Sequence, residues 1–221
     1  MIRGVCFDMD GVLFDTERLG SRIMCVAASL QGEEMTDRHW RALIGSTMQQ
    51  TVAQLNVWFP RLDAEQFIRD WKREQLDWVS RNGVPLKPGA AEALETLQAE
   101  GIRLSLCTSN DPDVVETYLR LTGWEHTFRP VVTRLMIDRP KPAPDCYLKA
   151  AALMGLTPGE CAGVEDSPTG IQAVRAAGML SVMIPDVIPY TESIQPAIDH
   201  LLPDLHAFMR LISEINHPSD F

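Results

Sequence analysis

The sequence predicts an α/β fold, in which a parallel sheet carries helices on both faces and a helical bundle is inserted after the first strand. Two observations predict it. Short apolar segments alternate with helical stretches over most of the chain. From residue 16 to residue 82 the periodicity is helical and no strand is convincing. With 221 residues, we predict a core domain of residues 1–15 and 86–221 and an inserted helical domain of residues 16–85.

Five short apolar segments are the predicted strands of the core, because each is followed by a turn signal and then by a helical stretch. They are residues 2–7, 102–107, 129–133, 161–164 and 180–184. The predicted core helices are residues 90–101, 113–123, 145–155 and 167–178, with a closing helix in 204–221.

The helical insertion contains four of the five tryptophans, Trp40, Trp58, Trp71 and Trp78. They could form a ligand platform, but aromatic residues at helical spacing more often form a core, and we expect a core here. The Pro- and Gly-rich stretch 82–89 is the expected linker back to the α/β domain.

The composition restricts the partners of the chain. Its net charge is −10 and no basic stripe is visible, so we do not expect nucleic acid. No apolar run approaches the roughly 20 residues that span a bilayer, and no separate signal segment precedes the first strand. We therefore expect no membrane partner and a cytoplasmic location. Five scattered cysteines without a C-x-x-C pair indicate reduced thiols, and nothing indicates an obligate protein partner.

Three aspartates lie in the mostly apolar stretch CFDMDGVLFDT that ends the first predicted strand. They are Asp8, Asp10 and Asp15. Burying an unpaired charge is costly, so either these carboxylates mark a surface turn or a cation holds them. Alternation directs the side chains of Asp8 and Asp10 the same way, and Mg²⁺ is the usual cation for oxygen ligands in phosphate chemistry.

Further polar residues of suitable kinds fall at the other predicted strand ends, where open α/β sheets bind their ligands. Taken singly, each is explained by an ordinary turn, helix cap or solvated loop. Taken together and in this order, chance explains them poorly. They are Thr108, Ser109 and Asn110, then Lys141 between two prolines, then Glu165 and Asp166 before a helix that begins at Ser167-Pro168.

These residues resemble the four motifs of the haloacid dehalogenase superfamily of phosphohydrolases. The likeness is to the branch with an inserted helical cap, which includes β-phosphoglucomutase and many sugar-phosphate phosphatases, and it covers essentially the whole chain. It implies a Rossmann-like three-layer core. The matches are D-x-D-G-[VT] at Asp8–Val12, a Ser/Thr at Thr108, the lysine of KPAPD at Lys141 and EDSxxG at Glu165–Gly170.

The resemblance implies a Mg²⁺-dependent phosphatase that acts on a small phosphorylated metabolite, with a sugar or polyol phosphate expected. Asp8 would be the nucleophile that forms an aspartyl-phosphate. Asp10 would be the general acid and then the general base. The implied metal ligands are Asp8, Asp10 through its backbone carbonyl, Glu165 and Asp166. The implied phosphoryl-binding residues are Thr108, Ser109, Asn110 and Lys141.

The resemblance also implies that the cap closes over the site and reads the non-phosphate part of the substrate. Residues 14–17 and 82–88 are the candidate hinges. The stretch 44–50, which contains Gly45, falls where related caps carry a specificity loop. Asp15 would either orient the cap or act as a helix N-cap.

Two departures from the family decide between activities. Dehalogenases proper lack the second aspartate of the first motif, so Asp10 favours phosphoryl transfer. Mutases of the β-phosphoglucomutase kind carry a histidine near the place of Gly20 and an arginine in the 44–50 loop, and this chain has neither. These departures count against a sugar-phosphate mutase, which is the alternative to the favoured phosphatase. A non-enzymatic regulator is a third hypothesis, and the intact motif set argues against it.

Overall fold

The computed structural model describes residues 1–44, 46 and 48–218. It contains two compact units, one of Met1–Asp15 with Leu86–Phe221 and the other of Thr16–Pro85. Gly45, in the stretch predicted as a specificity loop, lies outside the described residues, as do the last three residues of the predicted closing segment.

The first unit contains a parallel sheet of six strands among the described residues, in the order β3-β2-β1-β4-β5-β6. This confirms the predicted α/β fold. The strands are β1 Gly4–Phe7, β2 Arg103–Cys107, β3 Val131–Val132, β4 Cys161–Glu165, β5 Leu180–Met183 and β6 His200–Leu201.

Helices cover both faces of this sheet, as expected when crossovers join parallel strands. Side chains that alternate along β1 show the two faces. Cys6 belongs to a buried apolar cluster with Tyr147, whereas the ring of Phe7 meets that of Phe208 at 5.9 Å. The helices of this unit are α5 Ala90–Ala99, α6 Pro112–Thr122, α7 Asp145–Met154, α8 Pro168–Ala177 and α9 Leu205–Asn216. Their numbers start at five because four helices of the other unit come earlier in the chain.

Four of the five predicted strands were too long, the strand predicted at 161–164 was one residue too short, and one strand was missed. Ile102 does not join β2 because its backbone N–H bonds to the carbonyl of Leu97 at the end of α5. Helix α5 itself ends at Ala99, and Gly101 lies in the turn that follows with a φ of 74°. Strand β6 has only two residues, neither of them buried, so it lacks the apolar run that would mark a strand.

The described residues of the second unit form helices and no strand. Trp40 is buried in its core, and Trp58 and Trp71 are partly buried against the same cluster. The rings of Trp40 and Trp71 meet edge to face, with centroids 5.3 Å apart. A core role is therefore confirmed for these three tryptophans. The helices are α1 Thr16–Ser29, α2 Asp37–Leu43, α3 Met48–Trp58 and α4 Ala64–Asn82.

Two further predictions have structural counterparts. All five cysteines are free thiols, in agreement with the prediction of reduced thiols. In the described parts of the chain, no helix combines the length and the apolar character needed to cross a membrane.

Candidate active site

The carboxyl edge of the sheet gathers the polar residues that the sequence singles out. Asp8 directly follows β1, Thr108 directly follows β2, and Glu165 and Asp166 end and follow β4. Strands β2 and β4 both pair with β1, so their ends flank Asp8. Lys141 comes from the segment before α7. Parallel strands place these ends side by side, which is why residues far apart in sequence meet here.

Lys141 connects two carboxylates at the centre of the edge. Its Nζ lies 2.6 Å from Asp8 Oδ1 and 2.6 Å from Glu165 Oε1, and it also donates to the carbonyl of Cys107 at 3.0 Å. The Lys141 side chain is 9% exposed and that of Glu165 is fully buried. Buried charges need partners to be tolerated, and the ammonium group and the two carboxyl groups provide them for one another.

The two ends of the Asp8–Lys141 pair have shifted pKa values. Burial, followed by the nearby charge of Glu165, raises the pKa of Asp8 to about 7, against the lowering effect of Lys141. Burial by itself would lower the pKa of Lys141, but the carboxylates of Asp8 and Glu165 outweigh burial and raise that pKa well above its ordinary value. The lysine is therefore a fixed positive charge, while Asp8 carries its negative charge at a cost.

A group of three carboxylates could hold a cation. Each of Asp8, Glu165 and Asp166 offers an oxygen, and these oxygens lie within 4.8 Å of one another. Oxygen donors with several negative charges suit Mg²⁺. The side chain of Asp10 is not part of this group; its Oδ2 accepts a hydrogen bond from Asn110 Nδ2 at 2.5 Å. The prediction that Asp10 contributes its backbone carbonyl stays a prediction.

Two glycines of the motifs are required by the space around these carboxylates. A Cβ added at Gly11, whose φ is 75°, would lie 2.3 Å from Asp166 Oδ2. A Cβ added at Gly170 would lie 1.9 Å from the carboxyl group of Glu165. Both distances are below any real contact, so any side chain at these positions would displace a carboxylate of the group.

The segment after β2 orients Asp10. The Thr108 N–H bonds to the carbonyl of Val132 at 3.0 Å, and its Oγ1 accepts from the Asn110 N–H at 3.1 Å. Thr108 is buried, whereas Ser109 is exposed to solvent. The structure thus brings Asn110 to the carboxylate of Asp10, a contact that the sequence did not suggest.

Tyr147 and Ser167 complete the surroundings of Glu165. The hydroxyl of Tyr147 donates to Glu165 Oε1 at 2.7 Å, and the hydroxyl of Ser167 donates to Glu165 Oε2 at 3.1 Å. Burial raises the pKa of Tyr147 well above its ordinary value, so its hydroxyl keeps its proton. Sequence reasoning missed Tyr147 because a tyrosine on an apolar helix face reads as core. The one feature of the sequence that pointed to Tyr147 was its position two residues after Asp145, the last residue of the KPAPD segment.

Comparison with known proteins now gives the family. The sequence-family model of the haloacid dehalogenase-like hydrolases matches residues 5–184 of this chain. The chain belongs to this family. Hexitol phosphatase B of Escherichia coli K12 is 27% identical to this hydrolase, over 83% of this chain and 84% of that protein. The uncharacterised protein of the fgs 3′ region of Lacticaseibacillus casei is 32% identical, over 85% of this chain and 86% of its own.

A solved structure supports the same fold. A crystal structure from Thermotoga maritima, described as a candidate β-phosphoglucomutase, superposes on this hydrolase with a TM-score of 0.81 and 25% identity. The superposition covers 97% of this chain and 100% of the Thermotoga maritima chain. The predicted family and the predicted Rossmann-like fold are confirmed. With relatives named as phosphatases, this hydrolase is an enzyme of the phosphatase type.

Proposed function

We propose that this hydrolase is a Mg²⁺-dependent phosphatase of a small phosphorylated metabolite, a sugar or polyol phosphate, and that it works through a phosphorylated Asp8. The observation that carries the proposal is the position of Lys141 between Asp8 and Glu165, with Asp166 beside them. A largely buried carboxylate whose negative charge a lysine offsets is a suitable nucleophile, and phosphoryl transfer needs mainly positioning and charge neutralisation.

In the first step, an oxygen of Asp8 attacks phosphorus, and the bond from phosphorus to the ester oxygen breaks. Asp10 gives its proton to the leaving oxygen, which departs as the alcohol. In the second step Asp10 takes a proton from a water molecule that attacks the same phosphorus. The bond between Asp8 and phosphorus then breaks, which releases inorganic phosphate and restores both aspartates.

The hydrogen bond from Asn110 supports the role of Asp10. A carboxyl group that serves as acid in one step and as base in the next must keep its orientation through both. The 2.5 Å contact between Asn110 Nδ2 and Asp10 Oδ2 fixes one oxygen of that group. We therefore assign Asn110 both to phosphate binding and to the orientation of Asp10.

The phosphoryl group needs donors and a positive charge. We assign Lys141, Thr108 and Ser109 to its oxygens, together with Asn110. Each lies at or near the carboxyl edge. The positive charge of Lys141 offsets the overall charge of −10 at the place where the phosphoryl group would bind. Asp8, Asp166 and Glu165 would hold Mg²⁺, joined by the backbone carbonyl of Asp10. When bound, this ion supplies further positive charge to the phosphoryl oxygens.

The substrate class rests on the relatives. Hexitol phosphatase B, as its name states, acts on hexitol phosphates, and it shares 27% identity with most of this chain. A small polyhydroxylated phosphate ester is therefore the substrate class to test first. We assign recognition of its non-phosphate part to the helical unit on the family resemblance alone.

The alternative is a sugar-phosphate mutase, which the Thermotoga maritima structure favours by its description. One feature of the helical unit counts against it. A Cβ added at Gly20, near the place of the mutase histidine, would lie 2.6 Å from the ring of Trp40. A histidine there would require the buried Trp40 to move. The space that a mutase side chain would need is filled by an indole.

Phosphate release tests the proposal directly. The purified chain is assayed against p-nitrophenyl phosphate and a panel of sugar and polyol phosphates, with Mg²⁺ and with EDTA. We expect Mg²⁺-dependent release, fastest for one class of polyhydroxylated ester. Interconversion of hexose monophosphates without net phosphate release, followed by mass spectrometry, would show a mutase instead. No reaction with any ester would refute both activities.

A further inference from the structure

Glu165 is surrounded by hydrogen-bond donors on both of its oxygens. Oε1 accepts from Lys141 Nζ at 2.6 Å and from the Tyr147 hydroxyl at 2.7 Å. Oε2 accepts from the Ser167 N–H at 3.4 Å and from the Ser167 hydroxyl at 3.1 Å. The Glu165 side chain is fully buried. Its orientation is therefore set by these donors and not by solvent.

Tyr147 contacts both members of the Lys141–Glu165 pair. Its hydroxyl bonds to the carboxylate of Glu165, and the ammonium nitrogen of Lys141 lies 5.2 Å from the centre of its ring. At that distance the ring face attracts the cation. Tyr147 is fully buried and is the third residue of α7. A rigid aromatic side chain thus holds a flexible lysine through a carboxylate.

The three protons of the Lys141 ammonium group are all directed to acceptors, namely Asp8, Glu165 and the carbonyl of Cys107. Glu165 is the second carboxylate, besides the nucleophile, that accepts from this ammonium group. If Glu165 rotates, one of the two carboxylate contacts that hold Lys141 in this place is lost. The position of the positive charge next to Asp8 therefore depends on whatever keeps Glu165 from turning.

We propose that Tyr147 is a positioning residue of the reaction: its hydroxyl fixes Glu165, and Glu165 in turn holds the ammonium group of Lys141 against Asp8. This inference rests on the proposed function. The hydrogen bonds from Ser167 are long and restrain only Oε2. The hydrogen bond from the Tyr147 hydroxyl is the short one from an uncharged donor, and it sets the rotation of the carboxylate. Catalytic groups that act by position lose rate steeply when their supporting hydrogen bonds are removed.

Tyr147→Phe tests this because it removes the hydroxyl and keeps the ring against Lys141. We expect kcat to fall by about 10- to 100-fold, while KM stays within about twofold. Tyr190→Phe is the matched control, since its hydroxyl also donates a 2.7 Å bond, to Gln195 Oε1, and should leave both constants unchanged. Both variants are assayed with saturating Mg²⁺ at a temperature where circular dichroism shows them to be folded.

A crystal structure of Tyr147→Phe beside that of the wild type gives a second measurement that needs no activity. We expect Glu165 to rotate and Lys141 Nζ to lose its contact with either Asp8 or Glu165. A kcat within twofold of the wild type, a rise in KM alone, or an unmoved Lys141 would overturn the inference. If the wild type hydrolyses no ester, the proposed function fails, and the crystal comparison still decides whether Tyr147 positions Lys141.

Discussion

The two edges of the parallel sheet use similar charged residues in opposite ways. At the carboxyl edge, the side chain of Glu165 is fully buried, and those of Asp8 and Lys141 beside it are mostly buried. At the amino edge, Arg3 pairs with Glu160 near the surface, and both side chains are substantially exposed. The Asn216 side chain bonds to both the N–H and the carbonyl of Ile2, at 2.7 and 2.9 Å, and ties α9 to the start of the chain.

The pKa values at the two edges shift in opposite directions. Hydrogen bonds from the Thr157 backbone and hydroxyl, and then from Arg3, lower the pKa of Glu160 to about 2. Burial raises the pKa of Asp8 to about 7. The amino edge is therefore built so that ionisation stabilises the fold. The carboxyl edge holds a carboxylate whose ionisation costs stability, which is typical of a functional site.

Removal of the nucleophile should give the largest difference between the two edges. Asp8→Asn should reduce phosphate release by at least about a thousandfold, because an amide is a poor nucleophile at phosphorus. Glu160→Gln, at the other edge, is the control and should hydrolyse the ester at the wild-type rate. Release is measured at saturating substrate with Mg²⁺. An Asp8→Asn enzyme within tenfold of the wild type would refute the nucleophile assignment.

Mg²⁺ should distinguish the two edges by stability alone. At about 100 times its dissociation constant, a ligand of the folded state adds about 2.7 kcal/mol, which for a chain of this size raises the melting midpoint by roughly 5–10 °C. Differential scanning fluorimetry with Mg²⁺ and with EDTA measures the shift. Asp166→Asn should abolish most of it and Glu160→Gln should keep it. A shift that persists in Asp166→Asn would place the metal elsewhere.

A methyl group added at each edge tests how tightly the two edges are packed. Gly170→Ala would place a Cβ 1.9 Å from the Glu165 carboxyl group, whereas Gly159→Ala finds open space. We expect Gly170→Ala to cost about 1–3 kcal/mol of stability through overpacking and to lower kcat as Glu165 is displaced. Gly159→Ala should change neither quantity. Urea unfolding and kinetics measure both, and equal behaviour of the two variants would contradict the geometry of Glu165.

The smallest expected effect is a difference in pH dependence. Glu160 has a lowered pKa, about 2 against an ordinary 4.5, so its stabilisation is present above about pH 4.5 and is lost as the pH falls toward 2. Asp8 has a raised pKa, about 7 against 3.8, so the cost of its ionisation is absent below about pH 4 and complete above about pH 7.

Urea midpoints of the EDTA-treated protein between pH 3 and pH 8 test both signs. The advantage of the wild type over Glu160→Gln should be present near neutral pH and shrink below about pH 4.5. Relative to Asp8→Asn, the wild type should lose stability as the pH rises from about 4 to about 7. Parallel pH profiles for the two variants would contradict the opposite shifts at the two edges.

The amino-acid sequence alone was enough to predict the residue types of the site and their order along the chain. Strand-helix alternation placed Asp8, Thr108, Glu165 and Asp166 at strand ends, because apolar runs and turn signals are local features. It also placed Lys141 before a helix. The inner strands were found with errors of one or two residues, whereas β6 was missed because a two-residue partly exposed strand carries no local signal.

Which of these residues contact one another depends on the packing of elements in the folded protein. The contacts of Asn110 with Asp10 and of Tyr147 with Glu165 join residues 100 and 18 positions apart. They depend on the order of strands in the sheet and on the rotation of α7 against it. The filling of the space at Gly20 by Trp40 likewise depends on how α1 and α2 pack. Packing between elements sets these relations, and it leaves no periodic trace in the sequence of either partner.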